Sequence, residues 1–222
     1  MTETAAPSTP VYPARLTIDA QASLSRASTI FRIILIIPIA LLLQFLVSSG
    51  ESAVVVVGGA GDAVSSTTSV GFGILGTLFI LTVVMILFRK VYPRWWFDFA
   101  LNLHRFITRV TAYFLLLTDR YPSTEDEQNV HLDLDYPDVK TQLNRGLPLV
   151  KWFLAIPHFF ILFFLGIAVL VVVILSWFAI IFTGRYPAAF FDFVVGYLRW
   201  SWRVQAYALL LATDKYPPFS LR

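Results

Sequence analysis

The sequence contains no cysteine, so disulfides and thiolate metal sites are excluded. Charge is also scarce: Asp, Glu, Lys and Arg make up 14% of the chain, against about 25% in an average soluble domain. Between Ser48 and Ser69 there is no Lys or Arg at all. The N-terminal residues lack the basic start and early apolar run of a signal peptide, so the chain is expected to keep its N-terminus. Residues 1–11, rich in Thr, Ala, Ser and Pro, read as a disordered tail. Nowhere is there a G-x-S-x-G, an H-E-x-x-H, a P-loop or a dinucleotide fingerprint. No catalytic residue, metal or cofactor is therefore expected, and the chain reads as a non-enzyme.

What the chain has instead is apolar bulk. Hydrophobic residues make up 57% and mean hydropathy is +0.71, more apolar surface than a soluble domain of 222 residues can hide. Four runs have the roughly 17–25 residues, or nearly so, that cross a hydrocarbon core: Ile30–Val47, Val70–Phe88, Leu147–Leu165 and Ile167–Phe182. Only Gly166 separates the last two, so a tight helical hairpin is expected there, with one long bent helix as the alternative. The seventeen Lys and Arg lie outside the Ser48–Ser69 loop, which puts that loop outside and both termini and the central segment in the cytoplasm. The net charge of +3 sits beside apolar segments and points to anionic lipid headgroups, not nucleic acid.

The chain also repeats itself. Arg26, Arg32 and Pro38 recur as Arg145, Lys151 and Pro157, and Tyr92, Pro93, Asp98, Arg105, Arg109 and Tyr113 recur as Tyr186, Pro187, Asp192, Arg199, Arg203 and Tyr207. This divides the chain into repeat 1 (12–122), a linker (123–129) and repeat 2 (130–218). Each copy has an even number of spans, so the repeat is parallel, with a pseudo-two-fold along the membrane normal. The expected fold is an all-α integral membrane protein with four transmembrane helices, two interfacial amphipathic helices and a minor cytoplasmic β element. The run KWFLAIPH at Lys151–His158, the two Y-P-x-x-x-F-D-F blocks and the two T-D-x-Y-P blocks resemble the bacterial membrane proteins catalogued as domain of unknown function 4389. That resemblance, from about Tyr12 to Pro218, implies a duplicated multi-pass protein of the bacterial inner membrane and supplies no activity or catalytic residue.

After each pair of runs comes a segment, Trp95–Leu117 or Ala188–Leu211, whose polar residues fall on one narrow helical face: Asp98, Asn102, Arg105, Arg109 and Tyr113, repeated by Asp192, Gly196, Arg199, Arg203 and Tyr207. Charges at mid-bilayer cost about 2.5–3.5 kcal/mol each, so both segments are expected to lie in the interface. The plain reading of the stripe is a solvated face. A sharper one has Arg105, Arg109, Arg199 and Arg203 converging to bind lipid phosphate or another anion. A third pairs Asp98 and Asp192 with arginines of the opposite copy.

His131, Asp133 and Asp135 alternate with leucines, as a strand with one wet face would, and Arg15–Asp19 is the expected partner strand. His158 reads as a hydrogen-bonded histidine, and GGAGD (58–62) as a flexible linker. The sequence thus favours a non-enzymatic accessory or scaffold component that binds partner proteins, a second copy of itself or anionic lipid. A small channel or carrier with its pathway at the repeat interface near Pro38 and Pro157 is the alternative. A lipid-modifying enzyme would need Asp98 and Asp192 to share a pocket.

Overall fold

A computed structural model describes residues 12–47, 51–54, 67–70, 74–124, 128–141 and 143–222. The expected tail, the GGAGD stretch and residues 125–127 of the linker lie outside the described residues.

Two strands form where apolar and polar residues alternate. β1 (Ala14–Ile18) and β4 (Val130–Leu134) pair antiparallel with Leu16 opposite Leu132. Their even faces, Ala14, Leu16, Ile18, Val130, Leu132 and Leu134, are buried. The other face is wet: Arg15 pairs with Asp135 at 2.7 Å and His131 with Asp19 at 3.2 Å. Here the expected β element stands as read. A second hairpin, β2 (Glu51–Val54) with β3 (Thr67–Val70), was not foreseen in the loop between the first two apolar runs.

The rest is mostly helical. α1 spans Arg26–Val47 through Pro38. α2 (Ile74–Val84) continues into a π-helical stretch, Met85–Arg89, that ends on a left-handed Lys90. α3 (Arg94–Phe114) and α6 (Ala188–Ala208) each start just after a proline, Pro93 and Pro187, where a missing N–H costs nothing. Each gives way to a left-handed leucine, Leu116 or Leu211.

The hairpin expected at Gly166 does not form. α5 runs unbroken from Ile156 to Thr183, preceded by the short α4 (Leu147–Leu154). The break falls at Ala155 instead, because Pro157 has no N–H to donate and its ring crowds the carbonyl of Phe153. Gly166 has a packing role: a Cβ there would meet the Tyr197 hydroxyl at 3.2 Å. Two of the four expected runs are thus one helical stretch. Leu147–Thr183, with 37 residues and a hydropathy of 3.2, is long and apolar enough to cross a membrane, and among the described residues it is the one such helix.

The elements stack in three layers. The β1–β4 sheet packs on α3 and α6, and these pack in turn on α1, α4 and α5. α5 runs antiparallel to α6: His158 meets Trp200, Gly166 meets Tyr197, and Ile180 clusters with Tyr186 just ahead of α6. α1 likewise runs antiparallel to α3, with Arg32 against Tyr113 and Ile36 and Ile39 clustered with Val110. α5 buries Leu162, Val169 and Ile180 on one stripe and exposes Phe160, Phe163, Phe164, Leu170, Ile174 and Phe178 on the other. Polarity therefore changes across the layers, from a charged sheet face at one side to an apolar helical face at the other.

Candidate functional site

The arginines of the stripe are held by the fold. In an antiparallel pair, alternate rungs turn their carbonyls outward. The bonds Asp19 N–H to Asn129 O and Asp135 N–H to Pro13 O fix the alternation so that Leu16 and Leu132 form such a rung. Arg105 Nε donates to Leu132 O at 2.9 Å, and Arg199 Nε to Leu16 O at 3.1 Å. The two guanidinium groups thus close the two open edges of the sheet at one register pair, where unpaired carbonyls would otherwise face a helix layer. Arg105 and Arg199 are brought to one rung of the sheet, and what they hold there is backbone oxygen.

Arg105 also donates to Asn102 Oδ1 at 3.1 Å and pairs with Asp133 at 3.2 Å. Arg109 Nη1 donates to Ser123 O at 2.7 Å, and among the described residues its Nε, like that of Arg203, is buried with no partner. Beside these two arginines, between α3 and β4, lies a cavity of about 640 Å³ lined also by Phe99, Leu103, Phe106 and Asp133. The corresponding place on α6 is filled. Arg203 donates to the carbonyls of Ser220 (3.4 Å) and Arg222, and Leu221 lies so close to Gly196 that a Cβ there would meet its carbonyl oxygen at 2.7 Å. Burial, helped by the charge of Arg199, pulls Arg203 below its ordinary pKa, and burial pushes the Tyr12 phenol up. The Tyr12 hydroxyl donates to Lys215 O at 3.1 Å.

The remaining members of the stripe stand elsewhere. Asp98 and Asp192 are exposed, and among the described residues neither pairs with an arginine of the opposite half or shares a pocket with the other. Tyr113 and Tyr207 turn toward the apolar layer, their rings beneath Arg32 (4.5 Å) and Lys151 (5.3 Å).

These two cations form the ion pairs that sequence reasoning missed. Arg32, 3% exposed, is paired with Asp119 and donates to Tyr113 O at 3.0 Å. Lys151, fully buried, lies 2.7 Å from Asp214 and donates to Thr213 O at 2.8 Å. Each carboxylate also accepts a backbone N–H, from Ser25 (2.5 Å) or Asn144 (2.7 Å), just ahead of the helix that carries the cation. The signal was present in the sequence as a cation inside each apolar run and an aspartate in each T-D-x-Y-P block.

Residues 148–220 match the family model of a domain of unknown function, DUF4389. The DUF4389 segment takes in most of α4, all of α5 and α6, the Lys151–Asp214 pair and Ser220. The resemblance expected over nearly the whole chain is thus found over residues 148–220 alone, and the family's description names no chemistry. No curated protein and no solved structure matches the chain.

His158, inside the segment, is fully buried, accepts from Trp200 Nε1 at 3.1 Å through Nδ1, and stacks on Phe219 at 4.0 Å. His104 on α3 is buried and bonds Ala100 O through Nδ1 at 2.8 Å. Burial holds its pKa below the ordinary histidine value. Among the described residues no three of His, Cys, Asp and Glu form a group that could hold a metal ion. The wet face of the sheet has its charges paired with one another.

Proposed function

We propose that the protein is a non-enzymatic membrane body, an accessory or scaffold component, that lies along one face of a bilayer and contacts anionic lipid or partner proteins through its basic layer. The single observation that carries this is the order of the layers. Arg105 and Arg199, near the midpoints of α3 and α6, hold the sheet whose Arg105–Asp133 and Arg15–Asp135 pairs are about half exposed. If α3 or α6 crossed the membrane, those four charges would sit near mid-bilayer at about 2.5–3.5 kcal/mol each. Both helices are better accommodated in the interface plane, as amphipathic helices are. α5 and α1 run antiparallel along α6 and α3, so they share that plane. Their exposed phenylalanine and aliphatic faces then enter the hydrocarbon while the sheet stays in water. This reading replaces four crossings by immersion in one leaflet, with the basic side toward the cytoplasm.

The reading includes duplication of one unit. Its support is the matched geometry of the two halves: the Arg32–Asp119 and Lys151–Asp214 pairs, the left-handed Leu116 and Leu211, and the exchange in which each half's amphipathic helix holds the other half's strand.

The absence of native cysteine makes the topology testable. Thr17→Cys on the wet face of β1 and Ser52→Cys on β2 would be treated with a membrane-impermeant maleimide from each side of oriented vesicles. The expected outcome is that Thr17→Cys reacts from one side, and that Ser52→Cys reacts from that same side or is protected. Reaction of Ser52→Cys from the opposite side alone would restore a crossing topology. Ion flux through reconstituted vesicles would replace the scaffold role by a channel.

A further inference from the structure

The geometry points to an acid-released strap: the C-terminal segment, residues 215–222, is held over α6 while His158 is neutral and lifts when His158 takes up a proton. Such a device is independent of how the body sits on a bilayer.

The strap belongs to no helix or strand and is fastened by side chains. Phe219 stacks on His158 at 4.0 Å and meets Trp200 edge-on at 5.8 Å. Tyr216 lies 4.8 Å from the same imidazole, and its hydroxyl donates to Leu154 O at 3.2 Å. Tyr12 donates to Lys215 O, and Arg203 to the carbonyls of Ser220 and Arg222. His158 is where strap, α5 and α6 meet. It is fully buried, although Tyr216 and Phe219, which cover it, are themselves exposed.

The bond from Trp200 fixes the protonation state. An indole N–H can only donate, so His158 Nδ1, 3.1 Å away, is the acceptor, and the neutral ring carries its proton on Nε2. A second proton would go to Nδ1 and point at the indole N–H, donor against donor. The hydrogen bond would be lost and a charge left in a buried aromatic setting. The side chains that face the ring are Trp200 from α6 and Tyr216 and Phe219 from the strap. Of these only Tyr216 is titratable, and its proton is donated to Leu154 O. Behind Tyr216 stands Tyr207, whose ring lies beneath Lys151, and Lys151 is paired with Asp214. Among the described residues no carboxylate pairs with His158 itself. Attraction of the cation to the Phe219 face offsets part of its desolvation, whereas contact with water offsets all of it. The side that can open to water is the exposed strap, since α5 and α6 bury their facing stripes against each other. Opening uncovers Gly196 and takes two backbone acceptors from Arg203.

With no native cysteine, one introduced thiol reports on the strap. Leu221→Cys, at the position that lies against Gly196, would be reacted with dithiodipyridine in the full chain in neutral detergent from pH 7.5 to 5.5. Its rate, compared with that of the same variant unfolded in denaturant, gives the protection. An imidazole freed from the strap titrates at about pH 6.5, so protection should fall about tenfold over that range. With His158→Gln added, which still offers Trp200 an oxygen and takes up no proton, protection should be constant. With Phe219→Ala added, a change on the exposed strap, the thiol should be unprotected already at pH 7.5. A separate Val204→Cys, at a fully buried site on α6, should stay protected throughout. Protection at Leu221→Cys that ignores pH, or that falls equally with His158→Gln, would overturn the role of His158. Full protection with Phe219→Ala would overturn the stack as the fastening, and this variant decides the matter if His158→Gln fails to fold. An equal fall at Val204→Cys would mean that acid loosens the whole fold, and would overturn the strap as a separate device.

Discussion

The halves carried by α3 and α6 share their arginines and differ at the stripe position that faces Leu221 on α6. On α6, Gly196 lets Leu221 lie against the helix backbone, and Arg203 is bonded to the segment that passes over it. On α3 the same position holds Asn102, which is exposed and bonded to Arg105, and a cavity remains. Glycine there admits the close approach of Leu221, whereas asparagine bonds its amide oxygen to the neighbouring arginine. A single position in the stripe thus sets how closely another segment can approach the helix backbone.

The comparison is sharpest at the buried ion pairs, which ought to behave alike. Removing one partner of a buried pair leaves an uncompensated charge and costs about 3–5 kcal/mol. Asp214→Ala, which strands the fully buried Lys151, is expected to lower stability by that order, and Asp119→Ala by a comparable amount through Arg32. Thermal melts in detergent would show it, and a small effect at Asp119 alone would mean that the halves are not equivalent.

The next effect is smaller and one-sided. Gly196→Ala puts a Cβ 2.7 Å from the Leu221 carbonyl, an overpacking expected to cost about 1–3 kcal/mol and to make residues 218–222 sensitive to protease. Asn102→Ala, on an exposed site, should stay within about 0.5 kcal/mol. Equal effects of the two changes would mean that the close approach of Leu221 to Gly196 is not what makes the position sensitive.

Closing the sheet edges gives a symmetric check of moderate size. Arg199→Ala and Arg105→Ala each leave a carbonyl of the Leu16–Leu132 rung without its donor. Each should cost about 1–3 kcal/mol, with Arg105→Ala softened because its site is more open to water. Denaturant melts of the two variants would rank them.

The smallest expected effect is a dependence on acidity to which His104 on α3 contributes. Burial depresses the pKa of His104 in the folded chain, so the unfolded chain takes up the proton first, near pH 6.5. Stability should therefore fall as pH drops below about 6.5, and the loss should level off below the folded pKa. Melting temperatures from pH 7.5 to 5.5 would show the decline, and His104→Leu should make it shallower, the remainder falling to the buried His158. The equivalent residue on α6 is Leu198, so an unchanged decline in His104→Leu would mean that His104 carries none of it.

Much of the local structure was legible. Alternation gave β1 and β4, including the wet faces of His131, Asp133 and Asp135, and the polar stripe gave α3 and α6 to within three residues at each end. The site was less so. Arg105 and Arg199 read as candidates for an anion, but their first partners are backbone carbonyls, because a two-stranded sheet has open edges and no periodicity reveals which side chain will close them. Arg32 and Lys151 stood out as cations within apolar runs, yet their aspartates lie 87 and 63 positions away in sequence, beyond any local pattern.

By itself the sequence determined which segments are apolar, which helices carry a polar face and which strands alternate, since each is a matter of residue spacing along one element. Only the tertiary structure decided that Leu147–Thr183 is one helical stretch, that it lies along α6, and that Arg105 and Arg199 close the two edges of one sheet. Hydropathy counts apolar residues without a direction. A direction exists only once a helix has a neighbour.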